Sequence, residues 1–569
     1  MKKGLLIIAV MAFANLTNAQ DGVSYWKTTI KKSNAVTVEN KKQITNPKLF
    51  QLDFEMLKYV LTDAPKRGEK NVSDVIVSFP DVDGSVSQFK VVENSNMDPA
   101  LEAKYPGINS YVGQSINDPT ALIYFSISPL GVQTMLVRAD KSAVFIEPYT
   151  TDQSAYIVYR KSDKAASLNP FECSVVSKVT DGTNLTARPN ADDGFLRNYR
   201  LALSVTGEYT VFFGGTKPLA LAAINNSMTR VNGVFEIDFG VHMTLIANND
   251  LVIYTSAATD PYSVASTGSG GAWNQELQTT LTNVIGSANY DIGHLFGASG
   301  GGGNAGCIGC VCVNPTAGTP LGKGSGFTSP ADAIPSGDNF DIDYVAHEMG
   351  HQFGGNHTFT HSNEGTGAQM EPGSGTTIMG YAGITGPTTD VQPHSDAFFH
   401  AISIQQITNY IKTTTCQTNT ASGNAIPTAN AGLDYTIPKG TPFKLTGAGT
   451  DANGGDVLSY CWEQMDVGTS STTLPSVTAT SGPAFKSFLP STTTFRYFPQ
   501  LSTVLTGAAF WKWEAVPNVA RALNFRLTVR DNHAGGPANN SDDMIVTVNA
   551  TAGPFNVTIP NTTDRKSVV

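Results

Sequence analysis

The chain has 569 residues, a formal net charge of -10 and only 15% charged residues. That length exceeds one domain and predicts three or four. The diffuse negative charge gives no basic footprint for nucleic acid. With abundant Gly, Ser, Thr and Asn, it fits β-rich exported modules better than a helical cytosolic enzyme.

The N-terminus reads as a targeting segment. Met1-Lys2-Lys3 is a positive start, Gly4 to Leu16 is apolar, and Thr17-Asn18-Ala19 offers small residues, so residues 1–19 are expected to be a signal peptide cleaved after Ala19. No later run of about 18 apolar residues follows, so no membrane span is expected. Residues 20–196 read as β-rich, with strand candidates Val75 to Phe79, Ala121 to Ile127 and Tyr156 to Tyr159 between turn residues. Nothing here resembles a catalytic constellation, so the region is taken as a propeptide that assists folding and inhibits the enzyme by blocking its cleft. Its one cysteine, Cys173, is a candidate cysteine switch that would place a thiolate on a catalytic metal. The other reading is a free cysteine with no role, since Phe171-Glu172 does not match known switches. Ser174 to Leu196 is polar and turn-rich, an exposed linker and processing site.

A second domain is expected over 197–420. Leu201, Leu203 and Val205 alternate as a strand; Leu221, Ile224, Met228 and Val231 recur as an amphipathic helix. Val241, Met243 and Leu245 return to period two, and Gln275 to Ile285 is helical again, which is an α/β layout. Gly297 to Gly306 reads as a glycine-rich loop, followed by Cys307, Cys310 and Cys312. A redox or second-zinc reading of the C-x-x-C is set below a structural disulfide to Cys416; four cysteines in this domain allow three connectivities. Asp341 and Asp343 suit the positive start of the next helix.

That helix carries the chemistry. His347 and His351 are four apart and share one helical face, where two imidazole nitrogens can reach one metal ion. Glu348 can reach a water on the metal rather than the metal itself. Gly354 suits a helix stop, and after it His357 can approach as a third ligand. Three neutral histidines leave one position open, as in catalytic zinc sites. The full H-E-x-x-H-x-x-G-x-x-H pattern, with a later turn at Thr377-Ile378-Met379-Gly380-Tyr381, is the metzincin signature with its Met-turn. Phe398 to Ile411 is helical. His361, His394 and His400 are read as packing or cap residues.

From 424 to 550, short alternating runs such as Leu458/Tyr460/Trp462 and Leu523/Phe525/Leu527/Val529 predict an all-β Ig-like or PKD-like sandwich. Asp451 to Asp456 is read as a hairpin turn in preference to a calcium site. Residues 551–569 are expected to begin a truncated further module or tail.

Residues 197–420 resemble the metzincin zinc metallopeptidases, in particular the reprolysin (adamalysin-like) branch, through the zinc motif, the Met-turn and Tyr290-Asp291-Ile292-Gly293-His294-Leu295-Phe296. The resemblance implies an Asp-containing helix at 290–296, and a disulfide from Cys312 to Cys416, with Cys307 as competitor. It also implies a calcium site using Asp291, Cys416 and Asn419. Met379 would lie beneath the metal ligands. Tyr381 departs from typical reprolysins. It is similar to the tyrosine of astacins and serralysins, which stabilises the transition state. Overall the chain resembles secreted reprolysin-like peptidases of flavobacteria and their relatives.

The expected product is a multidomain exported protein from a Gram-negative bacterium, a monomeric zymogen. Its activity would be a zinc endopeptidase on extracellular proteins or peptides, with Glu348 as general base. The competing reading is an adhesion or matrix/carbohydrate-binding protein with a subordinate metallopeptidase domain. Cleavage specificity is not legible.

Overall fold

A computed structural model describes residues 25–555 except 43, 45–46, 70–72, 165–171, 175–192, 363 and 469–472. The expected signal peptide, most of the linker and residues 556–569 of the expected tail lie outside the described residues. No helix among those described is long and apolar enough to cross a membrane.

The N-terminal region forms a nine-stranded sheet, antiparallel throughout, from Trp26–Thr28 at one edge to Ile76–Pro80 at the other. The expected strands are found at Ile76–Pro80, Leu122–Ser128 and Tyr156–Arg160. Side chains alternate across a strand, so the continuously buried run at 122–128 serves both faces. Ile123, Phe125 and Ile127 pack on one side with Leu57 and Leu61 of the helix Phe54–Leu61. Leu122 and Tyr124 belong to a different core on the other side.

That second core belongs equally to the next unit. There, strands Phe195–Val205, Val241–Leu245, Ile292–Phe296 and Gly326–Ser329 pair in parallel. The short edge strand Gly302–Asn304 runs antiparallel to Gly326–Ser329. The helix read from Leu221 to Val231 is real but longer, Lys217–Phe239, ending at Gly240 with φ 60°. It is not amphipathic: every residue from Ala220 to Phe239 is buried. The catalytic sheet covers one side and the N-terminal sheet another, so the polar face a surface helix keeps is absent. The helix at Gln275 to Ile285 appears as Trp273–Val284.

Two expectations fail here. Tyr290–Phe296 is no helix; Ile292–Phe296 is a fully buried strand that pairs with neighbours on both sides. The glycine-rich stretch is not all loop, because it contains the edge strand Gly302–Asn304. Glycine disfavours strands, so pattern alone conceals it.

In the C-terminal region, a four-stranded sheet includes Ser459–Gln464, Arg521–Arg530 and Asn539–Asn549. It faces the two-stranded pair Phe443–Thr446 and Phe495–Phe498 across a core of Leu445, Trp462, Phe498, Phe525 and Val546.

Candidate active site

The zinc-motif helix, Ala346–Gln352, continues a wider turn over Asn339–Val345. Gly354, at φ 102°, turns the chain back after it, and a Cβ there would crowd Tyr410 at 3.1 Å. The helix end is capped from outside: Gly309 N–H donates to His351 O and Cys310 N–H to Gln352 O, both at 3.0 Å. These satisfy carbonyls that a helix terminus leaves open. The capping loop is closed by a Cys307–Cys310 disulfide, which the sequence reading did not foresee, while Cys312 pairs with Cys416.

His347, His351 and His357 converge. Their Nε2 atoms lie 3.1, 3.0 and 3.1 Å apart. Each ring donates its Nδ1–H: His347 to Ile378 O at 2.8 Å, His351 to Gly355 O at 2.7 Å, and His357 to both oxygens of Glu364 at 2.9 Å. All three Nε2 lone pairs are therefore free and aimed at one point. Tetrahedral zinc with bonds of about 2.0–2.1 Å would separate such nitrogens by about 3.3 Å, so the donor set fits zinc. Burial pushes the His347 ring down to about 3 and the His351 ring well below its usual value, with the neighbouring His357 ring adding to both. Both are held neutral, as ligands must be.

A fourth donor is present. Cys173 Sγ lies 3.6 Å from His351 Nε2, and with the three histidines it forms a four-ligand cluster. Zinc bonded to sulfur at about 2.3 Å and to nitrogen at about 2.05 Å in tetrahedral geometry would give about 3.6 Å. The cysteine arrives on a short strap. Glu172–Cys173 pairs in parallel with Gly302–Gly303 at the sheet edge, and Ser174 N–H donates to Gly303 O at 2.9 Å. Tyr381 OH donates to Cys173 O at 3.3 Å. Tyr381 itself packs in a tilted contact against Phe359, ring centroids 4.2 Å apart, and lies close to the His357 ring.

Glu348 is fully buried beside this cluster. Burial pushes its carboxyl up to about 8; the Cys173 thiol and Ala305 N–H oppose this, approaching it without closing full hydrogen bonds. Met379 lies under the helix, where Gly350 makes room: a Cβ at 350 would meet its Sδ at 2.5 Å.

The outer contacts were only partly legible. His294 donates from Nδ1 to Gln352 Oε1 and accepts from Thr328 at Nε2, both at 2.8 Å, tying the helix to the sheet. His400 accepts from Ile402 N–H as the cap of Ala401–Ile411, and His394 sits on Asp343. Asp341 and Asp343 meet cations, Arg230 and Lys161, beyond any help from the helix start. Glu364 had no sequence signal beyond being an acid seven residues past His357.

The calcium expectation is not supported. Both Asp291 oxygens are taken by Arg200, at 2.7 and 3.1 Å, with Arg200 N–H also on Oδ2. The guanidinium supplies the charge a cation would bring. Asn419 lies opposite Arg197 in strand pairing, and Cys416 is in its disulfide. Elsewhere Asp451, Asp456 and Asp531 cluster, but Asp456 holds His533 and Asp531 holds Asn424 and two backbone N–H groups.

Comparison with known families places this geometry. Residues 196–411 match the model described as metallo-peptidase family M12B, reprolysin-like. No curated protein matches the chain.

Proposed function

We propose that this protein is an exported zinc-dependent endopeptidase, because residues 196–411 match the reprolysin-like model of metallo-peptidase family M12B. It is made latent, acts as a monomer on extracellular proteins or peptides, and carries a C-terminal Ig-like module. The convergence of three imidazole Nε2 atoms beside a buried Glu348 carries this reading.

His347, His351 and His357 would hold the metal. Zinc, when bound, supplies a Lewis acid for the scissile carbonyl and lowers the pKa of the attacking water. Glu348 takes a proton from that water and hands it to the leaving amine nitrogen. Tyr381 OH, freed from Cys173 O, donates to the developing oxyanion. Met379 does no proton work; it fixes the floor under His347 and His351.

Latency follows from the strap. Cys173 offers a thiolate at the remaining metal position, and Glu172–Ser174 covers the edge strand along which a substrate backbone would pair.

The test is hydrolysis of casein by the Cys173→Ala chain, which lacks the proposed block, and by the same chain carrying Glu348→Ala, with zinc content measured for both. Zinc should remain and hydrolysis vanish. Full activity in the variant, or digestion that survives a chelator, would overturn the proposal.

A further inference from the structure

We infer that the N-terminal sheet is a permanent half of the working enzyme, and that only the Cys173 strap must leave for activity. The strand run at 122–128 gives the first sign, since every residue of this central strand is buried and its two faces feed two different cores. One of the two is shared with the catalytic unit itself. Tyr124, Met135, Phe145, Ile157 and Tyr159 share one core with Leu221, Met228, Val231 and Phe235 of the long helix. The fit is close enough that a Cβ on Gly233 would strike Met135 at 2.8 Å and the Tyr124 ring at 2.9 Å.

Polar groups lock the same surface. Asn96 Nδ2 donates to Asn225 Oδ1 at 3.1 Å and to Thr229 Oγ1 at 2.8 Å, and Asn232 Nδ2 donates back to Asn96 Oδ1 at 2.9 Å. Asn96 O and Asp98 N–H exchange backbone bonds with Leu245, both at 2.8 Å. Buried ion pairs then cross the boundary: Arg230 with Glu147 at 2.5 Å, Lys161 with Asp343 at 2.5 Å, Lys164 with Asp338 at 2.6 Å, and Arg67 with Glu236 at 2.8 Å. Losing the sheet would strip the cations from Asp338 and Asp343, immediately before the zinc helix. Charges left buried without partners are strongly unfavourable, so a catalytic unit without the sheet would lose the segment that aims His347.

The C-terminal module grips the sheet as well. Arg67 Nε donates to Gly535 O at 2.7 Å and Gln114 Nε2 to Asn532 O at 3.0 Å. None of these contacts passes through the strap, which is held by backbone bonds at the edge strand, by Tyr381 and by the Cys173 thiol. Inhibitor and scaffold are thus separable parts of one region.

The inference is tested on the full chain with recognition sites for two specific proteases, one replacing residues 166–170 and one replacing 180–186. After both cuts, gel filtration in native buffer should return the N-terminal fragment together with the remainder, with only the strap peptide lost. Separation should require denaturant. Elution of the N-terminal fragment alone, with a soluble remainder that digests casein, would overturn the inference. The activity arm rests on the peptidase reading, whereas the elution arm does not. A stable two-chain species without zinc-dependent hydrolysis would therefore sink that reading and leave the interface standing. Hydrolysis confined to whatever has shed the sheet would sink the inference instead.

Discussion

Glu364→Ala isolates the one carboxylate that meets a ring of the proposed zinc ligands among the described residues. His347 and His351 lean on backbone carbonyls that no substitution removes, but His357 leans on both oxygens of Glu364 at 2.9 Å. Without it, the His357 ring can rotate or hold its proton on Nε2, and the third lone pair is no longer aimed. Outer partners of this kind are worth about 10–100-fold in metal affinity, or about 1.4–2.7 kcal/mol. Glu364→Gln keeps an acceptor oxygen and loses the charge, so it should fall between wild type and alanine. The assay is zinc competition against a chromophoric chelator, in a Cys173→Ala background so that the thiol does not mask the loss. Identical zinc affinity in the Ala, Gln and parent proteins would refute the positioning role.

Three further outcomes are expected. Cys173→Ala in the uncut chain should raise casein hydrolysis on the order of tenfold or more, since a tethered thiol acts at millimolar effective concentration; unchanged latency would remove the cysteine from the inhibitory device. Gly350→Ala drives a methyl to 2.5 Å from Met379 Sδ and 3.2 Å from Phe399. It should cost about 1–3 kcal/mol through overpacking, and an unaltered thermal midpoint would contradict the packing. His294 is buried and its ring is pushed down from 6.5 to about 4. The unfolded chain therefore binds the proton first, and stability falls as pH drops through that window, by on the order of 3 kcal/mol. Urea midpoints at pH 7 and pH 4.5 should separate less in His294→Gln than in wild type; equal separations would refute the assignment.

Legibility tracked how local each feature is. His347, Glu348, His351, the turn at Gly354 and His357 are fixed within eleven residues by helical spacing and one glycine, so sequence displayed them. Strands such as Leu122–Ser128 showed in their composition. The long helix was misread as amphipathic because its outward covering comes from strands about a hundred residues earlier. Asp291 looked like a cation ligand until Arg200, distant in sequence, was seen to occupy it. The edge strand Gly302–Asn304 is held by its neighbours rather than by its own residues. Glu364 depends on how the chain returns after the third histidine, which no periodicity describes.

On the proposed reading, the strap meets every part of the site at once. Its sulfur stands where the fourth zinc ligand belongs, 3.6 Å from His351 Nε2. The same thiol faces Glu348, so the proposed base has the cysteine where its water should be. Its carbonyl occupies Tyr381 OH, the proposed oxyanion donor. Its backbone fills the edge strand at Gly302–Gly303. The proposed metal position, base, oxyanion donor and substrate edge would thus be blocked together, by contacts that the buried sheet behind the long helix does not share. On our inference the sheet completes the catalytic core, and it is required both before and after the strap is gone.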